Sequence, residues 1–456
     1  MSESAPFYNA LLKYAAKGRA SFHTPGHKGH AGLLAGLESH ALDLTELPDT
    51  GDLFGGGDAI EQAEKLASEV FGSGLTLFSS GGCTLCIQAM LLLGAGGGAR
   101  VIFARNCHRS AVNAAAILGI TPIWIMPTGN QGQVTEKDIG DILKAETDIS
   151  AVYITSPDYY GNLADIPAVS ALCRAAGVKL LVDNAHGSHL GAFGLHPLAL
   201  GADMTADSSH KTLPVLTGGA MLHIGRAGEP CLIDRQTAKA AMSVFASTSP
   251  SFNILASLDL ARDWWQRVGI QAYRITAETV AELERLASRQ GIGVFLGNLR
   301  DPSRITLDTA ALGVEGETAA EYFREQGCEP EYSDERHVVF IITPFNTPEE
   351  IQRLKVAVKG LTVAFRRGLF WHTGKKRTPP DYDHVYSLPE AAMSPREALL
   401  ACCETVDADN AVGRIAARAV CPCPPGIAAV VPGEIIDAQT AEKLKLCGFN
   451  RLVVLK

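Results

Sequence analysis

Between residues 60 and 225 the chain alternates short apolar runs with helical stretches, and this rhythm limits its fold more than any other feature. The apolar runs are 75–78, 100–104, 123–126, 151–155, 179–182, 204–206 and 220–224. Most are apolar at successive positions, not at every second one, which marks strands buried on both faces. Helical patterns such as 60–71 and 84–93 lie between them. This predicts an α/β architecture, a large mostly parallel sheet with helices on both faces. In such sheets ligands bind beyond the carboxyl ends of the strands.

The remainder divides by pattern. Residues 1–20 predict an amphipathic helix, with Phe7, Leu11, Leu12 and Ala15 on one face. A turn follows at Thr24-Pro25-Gly26. Residues 253–290 read as one long helical region interrupted near Gly269. A smaller α/β unit comes next, with strands near 304–307 and 338–342. Its last helix starts at Thr347-Pro348-Glu349-Glu350, a cap residue, a first-turn proline and early acids. Residues 372–387 are rich in Lys, Pro, Asp and Tyr and predict a linker. The expected division is a helical arm over 1–22, a large domain over 23–290, a small α/β domain over 291–371, and a linker with a C-terminal domain over 372–456.

Hydrophobic residues are 46% and charged residues 20% of the 456, as in soluble globular proteins. A net charge of −9 argues against a nucleic-acid surface. No apolar stretch reaches about 18 residues, so no membrane span is expected. The N-terminus lacks the basic start and apolar run of a signal peptide. Eleven scattered cysteines read as cytoplasmic thiols, not a disulfide framework.

Two residues at expected strand ends carry chemistry. Lys211 sits in Asp207-Ser208-Ser209-His210-Lys211-Thr212, and Asp183 closes the run Leu180-Leu181-Val182-Asp183. Alone, the first reads as a surface lysine and the second as a turn or cap residue. Together they supply the Schiff-base amine and the carboxylate partner of a pyridinium nitrogen that pyridoxal 5'-phosphate (PLP) requires. The run Phe78-Ser79-Ser80-Gly81-Gly82-Cys83-Thr84 adds a glycine-rich turn into a helix, whose N–H groups can hold a phosphate. His108 follows another strand, either as a helix-start residue or as a ring stacked on a cofactor. Cys83 and Cys86 form a C-x-x-C, but no second pair at zinc spacing exists. His23, His27, His30, His186 and His189 offer metal-ligand atoms without an H-E-x-x-H, and no metal is expected.

With these residues in place, the chain resembles the Orn/Lys/Arg decarboxylase family, PLP-dependent fold-type-I enzymes with aspartate-aminotransferase architecture. The matching runs begin with His23-Thr-Pro-Gly-His-Lys-Gly29, Asp43-Leu-Thr-Glu46 and Arg105-Asn-Cys-His-Arg-Ser110. Ser156-Pro-Asp-Tyr-Tyr-Gly161, Asp183-Asn-Ala-His-Gly187 and Ser208-Ser-His-Lys-Thr-Leu213 follow. Ser249-Pro250, Ala256-Ser-Leu-Asp259 and C-terminal Pro-Pro-Gly-Ile and Pro-Gly-Glu runs complete the order. The resemblance implies that Lys211 forms the Schiff base, Asp183 pairs with the ring nitrogen and His108 stacks on the ring. It places Ala185 and His186 on the other face and His210 beside the Schiff base. Ser208 and the backbone of Gly82 and Cys83 would meet the phosphate, with Thr248 or Ser249 reaching it from a neighbouring subunit of a homodimer or larger homo-oligomer. Relatives usually carry Thr or Ser where Gly82 and Cys83 stand. The implied reaction is decarboxylation of arginine, lysine or ornithine. An acid in 43–58 or 329–335 would meet the distal cation. An aminotransferase, a lyase or a non-catalytic scaffold are the alternatives.

Overall fold

The computed structural model describes residues 16–456, apart from 31, 37–41, 45, 48–49, 56–57, 128–132, 227–232, 296, 298, 368–387 and 423–426. The expected helical face of Phe7 to Ala15 and the expected linker lie outside the described residues.

The first described strand corrects an expectation. Residues 20–22, assigned to a helical arm, form strand β1 (Ala20–Phe22). Ala20 and Phe22 are wholly buried in the core of the small α/β unit, and a short strand there satisfies their backbone.

Seven strands make the large sheet: β2 (Leu75–Ser79), β3 (Arg100–Ala104), β4 (Thr121–Ile125), β5 (Ile149–Thr155), β6 (Lys179–Asp183), β7 (Met204–Asp207) and β8 (Ala220–Ile224). Their order is β2-β8-β7-β6-β5-β3-β4. Every pair from β7 to β4 is parallel, while β8 runs antiparallel to both β2 and β7. The β7–β8 connection holds a single helical turn, too little for the crossover that parallel strands need. The sheet is buried on both faces. Val101, Phe103, Tyr153 and Leu181 pack against the helices Gly82–Gly94 and Arg109–Leu118. Ile102, Ile154, Leu180 and Val182 pack against Ile139, Val169 and Cys173 of the opposite layer.

The long helical region is continuous. Helices Phe252–Trp264 and Ile270–Arg289 are joined by a π-helical turn at Trp265–Gly269, where a break was expected. Its far end carries Val280, Leu283 and Ala287 into the core of the small unit. There β9 (Gly293–Val294), β10 (Arg304–Asp308), β12 (Tyr332–Ser333) and β13 (His337–Ile341) form an antiparallel sheet in the order β12-β13-β10-β9. The adjoining β11 (Cys328–Pro330) pairs in parallel with β1. Thr347 caps helix Pro348–Arg366 through a capping box with Glu350, as its sequence predicts.

The C-terminal segment pairs β14 (Cys403–Asp407) with β15 (Arg451–Leu455) around its own core of Ala416, Val430, Ile436 and Leu452. It is tied to the large sheet by a buried ion pair, Arg105 to Glu434 at 2.8 Å.

Candidate active site

Six strands end on one side of the large sheet, and residues following five of them surround a cavity of about 230 Å³. Gly82, Cys83 and Thr84 follow β2, His108 follows β3, and Pro157 and Tyr159 follow β5. Ala185 and His186 follow β6, and Ser208, His210 and Lys211 follow β7. Nine of the expected site residues therefore meet in one place: Lys211, Asp183, His108, Gly82, Cys83, Ser208, His210, Ala185 and His186. Thr248 and Ser249 do not join them. Both are exposed, and Ser249 lines a separate cavity with Ser79, Ser80 and Gly81.

Lys211 lies on the helical turn Ser209–Thr212 directly after β7. Burial pushes its amine down, while Glu331 and Asp183 oppose the shift. Its Nζ is 2.9 Å from His186 Nε2. The His23–Gly29 loop packs under this turn. Gly26 N–H donates to the His210 carbonyl at 2.8 Å, and a Cβ on Gly26 would lie 2.4 Å from the Thr212 oxygen. The motif therefore needs glycine there for close backbone approach.

Asp183 is buried, and burial raises its pKa. Its carboxylate accepts from Tyr153 Oη at 3.2 Å and from Ala185 N–H at 3.1 Å. Both partners are neutral, so the charge lacks a cationic hydrogen-bond partner.

The glycine-rich turn differs from its expected use in one respect. Gly82 N–H donates to the Gly218 carbonyl at 2.9 Å and is already spent. The first N–H groups of a helix have no intrahelical acceptor, and Gly81 provides no side-chain cap to helix Gly82–Gly94. Cys83 and Thr84 therefore present the helix N-terminus to the cavity. Gly82 has φ +71°, a left-handed conformation that side chains disfavour. Burial drives the Cys83 thiol well above its ordinary range, so it stays neutral.

The histidines are assigned tautomers by their partners. His108 caps helix Arg109–Leu118, accepting from Ser110 N–H at Nδ1, as the helix-start reading expects. Its remaining proton is on Nε2. His210 Nδ1 lies 3.1 Å from the Gly219 carbonyl and must donate, which leaves Nε2 as a base. Burial holds both at about 4.

Four contributors escaped sequence reasoning. Tyr153 supports Asp183 from inside an apolar strand. Tyr159, in the Ser156–Gly161 run, packs 4.9 Å from the His186 ring. Arg304, from the small unit, reaches His186 Nδ1 at 3.1 Å. Ile427 bridges His108 through backbone pairing and lines the cavity. Thr155 Oγ1, also on the wall, is buried without a hydrogen-bond partner.

The histidines weighed as metal ligands are engaged elsewhere: His30 with Glu350, His189 with Asp301, His186 with Lys211. Among the described residues, His196, Asp207 and His223 are the group close enough to share an ion. Asn184 and His196 both meet the same Asp207 oxygen, at 2.7 and 3.0 Å. No helix among the described residues is long and apolar enough to cross a membrane. The described cysteines are free thiols.

Comparison with known proteins covers nearly the whole chain. A family model described as Orn/Lys/Arg decarboxylase, major domain, matches residues 5–292. One described as Orn/Lys/Arg decarboxylase, C-terminal domain, matches residues 381–451. The chain is 31% identical to the arginine decarboxylase of Bacillus subtilis over 95% of its own length and 91% of the relative's. It is 30% identical to that of Halalkalibacterium halodurans with the same coverage. The lysine decarboxylase structure from Francisella novicida superposes with TM-score 0.76 at 18% identity, covering 98% of this chain and 80% of that one.

Proposed function

Because the chain belongs to the Orn/Lys/Arg decarboxylase family, we propose that it binds PLP in this cavity and decarboxylates a basic amino acid to the amine and carbon dioxide. Its fold is that of the fold-type-I PLP enzymes. The observation that carries the reading is the convergence of Lys211, Asp183 and an uncapped helix N-terminus on one cavity.

The residues present fit the cofactor. Lys211 offers a buried amine. Asp183 offers a buried carboxylate whose desolvation a protonated ring nitrogen would offset. The N–H groups of Cys83 and Thr84, with the Ser208 hydroxyl, suit a phosphate. His108 and Ala185 would flank the ring. Thr248 and Ser249, exposed within one chain, would complete the phosphate site from a neighbouring subunit of a homodimer.

When bound, PLP supplies an electron sink for the pair released as the Cα–carboxylate bond breaks. The chain's own task is then to replace carbon dioxide by a proton at Cα. Lys211 Nζ, carrying a proton taken from the substrate ammonium, would deliver it, and His210 Nε2, a base in this tautomer, would do so only after taking up a proton. The apolar wall, including Ile87 and Ile427, keeps the site dry and disfavours a charged carboxylate. Of the acidic candidates, Glu331 is the largest favourable charge acting on Lys211. We assign it to the substrate's distal cation. Neither Glu331 nor any described residue of 43–58 lines the cavity wall itself.

The test is incubation of the PLP-supplemented protein with arginine, lysine and ornithine separately. The reading expects carbon dioxide and the matching amine from at least one, arginine first because relatives at 30% and 31% identity carry that name. The activity must vanish in Lys211→Ala. Keto-acid product would replace the reading with transamination, and no turnover of any of the three would overturn it.

A further inference from the structure

Arg304 opens β10 in the small unit and is 3% exposed, yet its guanidinium reaches into the large domain. NH1 donates to the carbonyls of Asp158 at 2.8 Å and Tyr159 at 2.9 Å. These bonds fix the plane of the group. NH2 then lies 3.1 Å from His186 Nδ1.

A guanidinium has donors and no acceptor, so His186 Nδ1 accepts. An imidazolium would oppose N–H to N–H at that contact. Burial, with Lys211 and Arg304 close by, also holds His186 well below its ordinary range. The ring is neutral, and its single proton is on Nε2. That nitrogen is 2.9 Å from Lys211 Nζ. An ammonium also lacks an acceptor, so Nζ takes the Nε2 proton only as a free amine with its lone pair available.

We propose that Arg304 is a positioning residue that sets the tautomer of His186 and, through it, holds Lys211 as the free base. The tautomer stands on geometry alone. Its use rests on the reading above, since only the free-base amine is nucleophilic. Other groups bear on the same nitrogen. Glu331, Asp183 and Cys83 favour its charge, and Arg304 opposes it. His108 and His210 are close enough to feel it. The Tyr159 ring centroid is 5.8 Å away and favours a cation. Against the two carboxylates, the relay adds a directional bond that only the neutral form makes.

The test uses the full-length protein freed of cofactor. Competitive acetylation across pH, read by mass spectrometry of the Lys211 peptide, reports the amine's titration. Arg304→Met is expected to raise it by at least about one unit, a tenfold loss of free amine at neutral pH. Arg304→Lys, which restores a donor and a charge, should recover most of the loss. Arg304→Met also removes a positive charge, so the same comparison is made in a His186→Phe background. There the relay predicts little further shift. An equal shift in both backgrounds, or none in either, overturns the proposal. A wild-type measurement stands if the variants fail to fold: nitrogen-15 histidine spectra, with His186 assigned through its contact with the Tyr159 ring, 4.9 Å away. The Nε2–H tautomer supports the relay, and the Nδ1–H tautomer or an imidazolium refutes it. A protein inactive on every basic amino acid but showing these titrations would sink the functional reading and leave the relay standing.

Discussion

Removing Glu434 should undock the C-terminal segment from the cavity. Its carboxylate meets Arg105 at 2.8 Å, with side-chain exposures of 3% and 0%. It also accepts from Val431 N–H at 2.8 Å. Arg105 has few alternatives. It donates to the Ala429 carbonyl and lies 5.0 Å over the Trp124 ring, while Nε and NH1 are buried without partners. Glu434→Ala thus strands a buried guanidinium, a change that costs about 3–5 kcal/mol. The loss is local to the chain that carries His108, because Ile427 pairs with His108 only when the segment is docked.

Urea unfolding followed by tryptophan emission, to which Trp124 contributes, measures this. The single variant should move the midpoint by the equivalent of that loss and speed release of bound cofactor. Arg105→Met with Glu434→Leu should recover most of the stability, since a well-packed apolar pair often replaces a buried ion pair at no net loss. A Glu434→Ala change within about 0.5 kcal/mol, the range of ordinary surface substitutions, refutes the reasoning. So does a double variant that loses the sum of the singles, because the pair would then be uncoupled.

Gly26→Ala puts a methyl 2.4 Å from the Thr212 carbonyl, so the Lys211 turn must move. The expected result is a folded protein by circular dichroism that no longer retains PLP after borohydride reduction, and unchanged retention would count against the loop's role. His223 is wholly buried and held at about 4 by burial, below the roughly 6.5 of an unfolded imidazole. The unfolded chain therefore takes up a proton that the fold refuses. His223's own contribution should be flat above about pH 6.5 and fall by up to roughly 1.4 kcal/mol per unit between there and about 4, alongside those of His108, His186 and His210. His223→Gln should flatten part of that slope in urea titrations, and an unaltered slope would contradict the assignment. Tyr153→Phe removes one neutral donor from Asp183 and should cost about 1 kcal/mol of PLP affinity. Asp183→Asn should cost far more, and equal losses in the two would deny Asp183 a charge-based role.

Burial on both faces is what made the sheet legible. Strands such as β3 and β6 have to be apolar at nearly every position, and that is visible in one dimension. Strand direction is not. Ala220–Ile224 would read the same in either sense, and its antiparallel course goes with a connection that holds one helical turn and no crossover helix. Residues 20–22 are too few to show a period, and their partner lies some three hundred positions away. The site divides in the same manner. Lys211 and His108 follow strands, Asp183 ends one, and all three carry local signals. Arg304 is a single arginine at the start of a strand, and its meaning comes from a partner 118 residues distant.

The glycine-rich turn shows why a departure in sequence is not a loss by default. The absence of Thr or Ser at 82 and 83 predicts weaker phosphate binding if side chains do the holding. Yet Gly82 adopts φ +71°, where a side chain would cost roughly 1–2 kcal/mol, and its N–H ties β2 to the loop before β8 through Gly218. That bond sets where the helix begins, and so where the N–H groups of Cys83 and Thr84 point. A hydroxyl at 82 would add one contact while straining the turn that aims two others. The backbone geometry and the residue choice agree, and the phosphate site is better sought at 83 and 84 than at 82.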